Sequence, residues 1–210
     1  MPDADDIVIG LFPLRLVLLP GEILPLHVFE ERYKRLVGEC RRDEEVFGLL
    51  LSDKDAVAEC GCTAAVYEVI EEFEDGRLNI LVEGRDRFRL EALIQPDDPE
   101  ADYLRGRVSL LSDDEGGGSD EAIVEAAALF ERVVSLMGAE SPRVPEGDAP
   151  LSFRLAAAID FGLPLKQRVL EAGSEAERLE LLITVMRALV PGLELRKERE
   201  EAIRGNGKGN

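Results

Sequence analysis

Glu74-Asp75-Gly76-Arg77-Leu78-Asn79-Ile80-Leu81-Val82-Glu83-Gly84-Arg85-Asp86-Arg87-Phe88-Arg89-Leu90 holds the clearest strand signal in the chain. Asp75-Gly76 offers residues that tolerate the positive φ of a tight hairpin turn. Before it, residues 64–73 carry β-branched side chains and Tyr67. After it, a return strand is expected from about Arg77 to Val82, then another over 87–94. In the latter, Phe88, Leu90, Ala92 and Ile94 alternate with mostly polar residues, which gives one buried and one wet face. Further strands are expected at 7–11, at the apolar run 46–51 and at 104–111, with Pro20-Gly21 as a turn. Strands joined by short turns with few helical crossovers predict an antiparallel sheet or a closed barrel. One helix interrupts them: Phe29, Tyr33, Leu36, Val37 and Cys40 form an apolar stripe, with Glu30, Glu31, Lys34, Arg35 and Glu39 largely elsewhere.

The pattern changes period at Asp113-Asp114-Glu115-Gly116-Gly117-Gly118, which reads as a linker. Beyond it the chain reads as helical. Ser119 or Asp120 caps a helix with the stripe Ile123, Ala127, Phe130, Val134 and Met137, ended by Gly138. A Pro-rich loop follows at 141–150, then a helix over 151–161 stopped by Gly162. Pro164 opens a third helix that Gly173 closes. Ser174 with Glu177 forms a capping box for a fourth, whose inward residues are Leu179, Leu182, Ile183, Met186 and Val190. Pro191-Gly192 is expected to break it, and 196–204 to form a charged helical extension. The expected organisation is an α+β chain: a tail at 1–6, a β-barrel lobe at 7–112, a linker at 113–119, a helical lobe at 120–204 and a tail at 205–210.

The 210 residues carry 25 Lys and Arg against 44 Asp and Glu, a formal charge of −19. Such a field repels phosphate backbones and anionic membrane surfaces, so neither nucleic acid nor membrane is an expected partner. It favours basic or hydrophobic polypeptides. No apolar run approaches the ~20 residues that span a bilayer. The acidic start, Met1-Pro2-Asp3-Ala4-Asp5-Asp6, lacks the basic region of a secretory signal. Three cysteines make no even disulfide framework, so a reducing, cytoplasmic location is expected. No feature of the sequence sets an oligomeric state.

Candidate chemistry is sparse. Cys60-Gly61-Cys62 could be half of a zinc site, but only Cys40 and His27 remain to complete four ligands, and neither is paired locally. The pair reads instead as a turn with a small buried residue entering a strand, and no metal or cofactor is expected. His27 is the only histidine, and no G-x-S-x-G or comparable nucleophile motif accompanies it, so no catalytic residue is assigned. Arg85, Arg87, Arg89, Arg105 and Arg107 suggest a basic strip, but Glu83, Asp86, Glu91, Asp97, Asp98, Glu100 and Asp102 share the stretch. A solvated face with weak ion pairs is the expected reading.

Three segments, in order, resemble the N-terminal substrate-binding domain of the Lon protease family. Leu11-Phe12-Pro13-Leu14-Arg15, Leu18-Leu19-Pro20-Gly21 and Leu24-Pro25-Leu26-His27-Val28-Phe29-Glu30 resemble its opening, with Arg32 and Tyr33 in the helix that follows. The hairpin 74–90 is similar to its D-G-x-x-x-V-L-V-E-G-x-x-R-F-R-I pattern. Leu155-Ala156-Ala157-Ala158-Ile159, Leu163-Pro164-Leu165-Lys166-Gln167-Arg168 and Glu177-Arg178-Leu179 resemble its helical half. The resemblance implies an antiparallel β pseudo-barrel of about six strands, PUA-like, with one inserted helix, followed by a bundle of about four helices. It also implies a non-catalytic polypeptide-binding module, an adaptor or holdase for unfolded or specific protein segments. Gly207-Lys208-Gly209 is not a phosphate loop, and nothing resembles Lon's catalytic-serine segment, so a free-standing domain without ATPase or peptidase activity is expected. The competing reading is a small-ligand-binding barrel or a small hydrolase.

The expected polypeptide contact surface is Pro25, Leu26, His27, Phe29, Arg32 and Tyr33. Pro25 is expected to hold an irregular segment before the helix. Leu26 and the edge of Tyr33 are expected to be the exposed groups, with Arg32 pairing acidic segments or covering apolar surface. The alternative is that all six only close the barrel.

Overall fold

The computed structural model describes residues 6–53, 56–97, 102–114, 117–140 and 143–206. The tail residues 1–5 and 207–210, the linker residues Glu115 and Gly116, and Ser141 and Pro142 of the Pro-rich loop lie outside the described residues. The chain forms two compact units, Met1–Ser112 with Phe161–Glu171, and Asp113–Asp160 with Ala172–Asn210.

The first unit contains β1 (Asp6–Leu14), β2 (Ile23–Val28), α1 (Glu31–Asp43), β3 (Phe47–Asp53), β4 (Ala56–Val57), β5 (Cys60–Glu72), β6 (Leu78–Ile94) and β7 (Arg105–Leu111). The seven strands run in the order β1-β7-β6-β5-β3-β4, with β2 added to β6. Every pairing is antiparallel except β1 with β3. That parallel seam brings the path back on itself, but β2 and β7 share one edge of β6, so the sheet does not close as a regular barrel. The fold is α+β and mostly antiparallel, with seven strands where about six were expected.

Its core gathers Ile9, Leu11, Leu50, Phe88 and Val108, with Leu90 and Leu104 packed against them. The alternation of residues 87–94 supplies Phe88 and Leu90, as the sequence pattern requires. The two strands expected at 77–82 and 87–94 are one 17-residue strand. Gly84 lets it run on. A Cβ there would stand 2.1 Å from the Leu19 carbonyl oxygen. Gly84 N–H donates to Glu22 O (2.9 Å), and Gly84 O accepts from Gly21 N–H (2.8 Å). The Gly21-Glu22 turn thus pairs both backbone groups of Gly84 where the edge of β6 passes from β2 to β7.

The sheet unit also holds α4 (Leu163–Glu171), which the sequence pattern had placed in the helical lobe. Arg87 Nη1 donates to Leu170 O (2.9 Å), and Gln167 Nε2 donates to Cys60 O (3.0 Å). Lys166 meets the buried Glu22 carboxylate. Leu165, Val169 and Leu170 are buried. A helical period says that a face is apolar, not which surface it covers.

The second unit is built from α2 (Asp120–Leu136), α3 (Leu151–Ala158) and α5 (Glu175–Asn206). Ser119 caps α2 by accepting from Ala122 N–H at 3.2 Å. Ser174 accepts from Glu177 N–H (3.2 Å), while the Glu177 carboxylate accepts from Gly173 N–H (2.8 Å), one residue before the box partner expected. On α2 the buried stripe is Ala126, Phe130, Val133 and Leu136, so the expected stripe is rotated by about one residue; Ile123 and Met137 are exposed.

Pro191 does not end α5, which runs 32 residues through it. Leu179, Leu182, Ile183 and Met186 are buried before the proline. Arg187 pairs with Glu125, and Arg132 with Glu194, so α2 grips α5 on both sides of Pro191. Both pairs are offset by seven residues in the same sense, as in two parallel helices. The tertiary grip outweighs the lost backbone bond.

Candidate functional site

The segment expected to hold a partner is not irregular. Pro25 lies inside β2, opposite Leu81 of β6. Because proline has no N–H to give to a ladder, its place is an edge strand with that position turned outward. Among the described residues β2 has β6 on one side and no strand on the other.

Strand parity then sorts the six expected residues. Leu26 (8% exposed) faces the core, and so does Val28. Tyr33 is 6% exposed and stacks on Phe12, with ring centroids 3.9 Å apart. Burial raises its phenol above the usual tyrosine range. Leu26 and Tyr33 are therefore core groups, and the expectation that they are the exposed ones is corrected. The groups reaching solvent are Pro25, His27 and Phe29, the last at 59%. Phe29 precedes α1 rather than starting its stripe. Arg32 is half-buried, pairs with Glu30 at 2.6 Å and covers the Tyr33 ring at 4.7 Å.

The register spreads this face over three strands. Ile23, Pro25 and His27 stand opposite Glu83, Leu81 and Asn79, which stand opposite Ala65, Glu68 and Glu71 of β5. Paired side chains share a face, so these nine point one way, while Ile80 and Val82 point into the core. His27 Nδ1–H donates to Asn79 Oδ1 (2.7 Å), and Asn79 Nδ2–H donates to Glu71 (3.0 Å). The His27 ring stacks on Phe29 at 5.8 Å and meets the edge of Phe73 at 6.2 Å. Exposed Ile23 continues the patch along β2.

Sequence reasoning missed Ile23, Phe73 and the acidic column Glu68-Glu71. Its signal lay in the register of the 65–83 hairpin, where bulges at Val66/Glu68 and Val69/Glu71 keep both glutamates facing outward three residues apart.

Other chemistry is quiet. Cys40, Cys60 and Cys62 are all buried and free. Burial pushes the Cys40 and Cys60 thiols up to about 11, and Cys62 higher still. Among the described residues no three His, Cys, Asp or Glu side chains gather as a metal site. A cavity of about 250 Å³ between α1 and β1 is lined by Ile9, Leu36, Glu39, Cys40, Tyr103 and Arg105 among others. Tyr103 closes it by donating to Glu39. No helix among the described residues is long and apolar enough to cross a membrane.

Comparison with known proteins agrees with this architecture. The crystal structure of a Lon N-terminal domain protein from Xanthomonas campestris superposes with a TM-score of 0.67 at 28% identity, covering 85% of this chain and 98% of that one. The Lon protease of Anaeromyxobacter dehalogenans is 28% identical over 94% of this chain, and that of Azorhizobium caulinodans 30% over 88%. The chain spans only 25% and 23% of those two proteins. The model of the ATP-dependent protease La (LON) substrate-binding domain matches residues 8–188, and the chain belongs to that family.

Proposed function

We propose that this chain is a polypeptide-binding module, an adaptor or holdase in protein quality control, with no ATPase or peptidase chemistry of its own. Its contact surface is the outer face of β2 with Phe29 and Phe73. The observation that carries this reading is the apolar row along an edge strand and just past its end: Ile23 is 45% and Phe29 59% exposed beside Pro25 and the His27-Phe73 pair. Exposed apolar groups gathered on one face, rather than scattered singly, mark an interaction surface. A free edge bearing a proline discourages self-pairing while leaving the face open.

Of the residues first expected to make contact, Pro25, His27 and Phe29 serve directly. Arg32 shields Tyr33, and Leu26 with Tyr33 holds the strand and helix in place. The small-ligand or hydrolase alternative has the α1/β1 cavity to use, but its Cys40 is a neutral thiol and His27 is not among the lining residues.

The test is Ile23→Ser with Phe29→Ser, measured for melting temperature and for binding to a labelled unfolded client by fluorescence anisotropy. Both side chains are exposed, so the melting temperature should hold while binding falls at least about tenfold, as for a truncated pair of aromatic and aliphatic anchors. Unchanged binding overturns the assignment. ATP turnover or client cleavage by the purified chain overturns the non-catalytic part.

A further inference from the structure

We propose that this face selects extended segments in which apolar and basic side chains alternate, the apolar ones resting on the β2 column and the basic ones on the acidic column of β5. The proposal deepens the polypeptide-binding reading above and rests on it.

The two columns differ in chemistry. On β2 the outward groups are Ile23, Pro25 and His27, continued by Phe29; on β5 the groups paired in register are Ala65, Glu68 and Glu71, with the bulge residues Tyr67 and Ile70 exposed between and beside the two glutamates. Across the hairpin 65–83 stand Glu68, Glu71, Glu72, Glu74, Asp75 and Glu83 against Arg77 alone. Some of these acids are compensated: Glu83 pairs with Arg85 at 2.8 Å, and Asp75 with Arg77 at 2.7 Å. Glu72 meets Arg41 only at 3.6 Å. Among the described residues Glu68 and Glu74 have no ion pair, and Glu71 holds only the Asn79 amide. The unpaired negative charge therefore lies on the β5 side, beside the apolar strip of β2.

Spacing supplies the rest. Neighbouring strands lie about 4.8 Å apart, so a segment lying over Asn79, Leu81 and Glu83 of β6 has the apolar column on one flank and the acidic column on the other. Successive side chains of an extended segment point to opposite sides, and those on one side recur about every 6.7 Å. The same period separates Ile23 from Pro25 and His27. The bulges of β5 bring Glu68 and Glu71 opposite Leu81 and Asn79, two residues apart, and so into the same period. An alternating apolar–basic segment thus meets both columns in register. A neutral segment would use one column only, and an acidic one would be repelled. The overall charge of −19 would speed the approach of the basic segment.

Four labelled nonamers decide the matter: alternating Val-Lys, alternating Val-Gln, alternating Val-Glu, and a Val-Lys peptide of the same composition in two blocks. Each is titrated onto the whole chain at two salt concentrations. Exposed charge pairs contribute about 1.5- to fivefold each. The alternating Val-Lys peptide should therefore bind at least about threefold more tightly than Val-Gln and than the block peptide. The advantage should shrink at high salt and vanish in Glu68→Gln with Glu71→Gln, whose melting temperature these exposed positions leave in place. Equal binding of Val-Lys and Val-Gln, both weakened by Phe29→Ser, overturns the charge selectivity and leaves the polypeptide-binding reading intact. Equal binding of block and alternating peptides overturns the register. Binding of every peptide untouched by Phe29→Ser removes the site and both proposals together.

Discussion

Arg178→Ala should unfold the second unit more readily than any exposed substitution in it. The Arg178 side chain is 0% exposed. Its Nε donates to Ser152 Oγ (2.8 Å), Nη1 to Asp113 Oδ1 (2.9 Å) and to Ala172 O (3.4 Å), and Nη2 to Asp113 and to Glu175 (3.0 Å). The guanidinium also lies 4.3 Å from the centre of the Phe153 ring. Glu175 in turn accepts from Ser152 N–H at 2.9 Å, so one cation fixes the start of α3, the start of α5 and the chain entering the unit. Removing one partner of a buried pair costs about 3–5 kcal/mol, because the charges left behind are stranded. Asp113 keeps a side chain 33% exposed and is partly rehydrated, whereas Glu175 at 14% is not. The lower end, about 3 kcal/mol, therefore applies, with up to about 1 kcal/mol more for the lost ring contact. Arg178→Lys keeps the charge but not the planar fork, and should cost about half as much. Urea unfolding followed by far-UV circular dichroism reads the effect, fitted as two transitions because the chain has two units. A loss under about 1 kcal/mol, or strict additivity with Asp113→Asn in a double-mutant cycle, would refute the clamp.

Two further outcomes are expected. The Cys40 and Cys60 thiols, held near 11 by burial against about 8.5 in an unfolded chain, contribute stability that is complete below about pH 8.5 and lost as pH rises through 11. Native protein at pH 8 should therefore leave all its thiols unreacted with an aromatic disulfide reagent and release them only on unfolding; rapid labelling of even one counts against the burial. Pro191→Ala should restore a helical hydrogen bond inside the continuous α5 and raise stability by up to about 3 kcal/mol, read as a higher melting temperature. No gain would mean that the helix is interrupted at that residue.

The hairpin at Asp75-Gly76, the caps at Ser119 and Ser174 and the α+β class were legible because each depends on neighbours in sequence. Gly76 has φ +80°, as the turn demands. What the sequence hid were choices made by distant partners. Residues 161–171 look like any amphipathic helix, and only the acceptors Cys60 O and Leu170 O, with Arg87 and Gln167 as donors, assign them to the sheet unit. Pro191 reads locally as a stop, and only the pairs Arg187–Glu125 and Arg132–Glu194 show why the helix passes it.

The candidate site failed to be legible for a different reason. Ile23-Leu24-Pro25-Leu26-His27-Val28 is apolar at nearly every position, so hydrophobic period cannot say which parity faces inward. The structure resolves it through Pro25: the residue without a donor must sit opposite Leu81 with its nitrogen turned to the free edge. The parity of the side chains follows from the packing of their neighbours. Leu26 and Val28 join Leu78, Ile80 and Val82 in the core. Burying each such side chain is worth about 1.5–3 kcal/mol, far more than any single exposed contact returns. A shift of β2 by one residue would bury His27 and expose Leu26, at several kcal/mol. The same apolar strand therefore anchors the fold with one parity and offers Ile23, Pro25 and His27 with the other. Leu26→Ser, the substitution the bare sequence suggests for testing contact, would test the core instead.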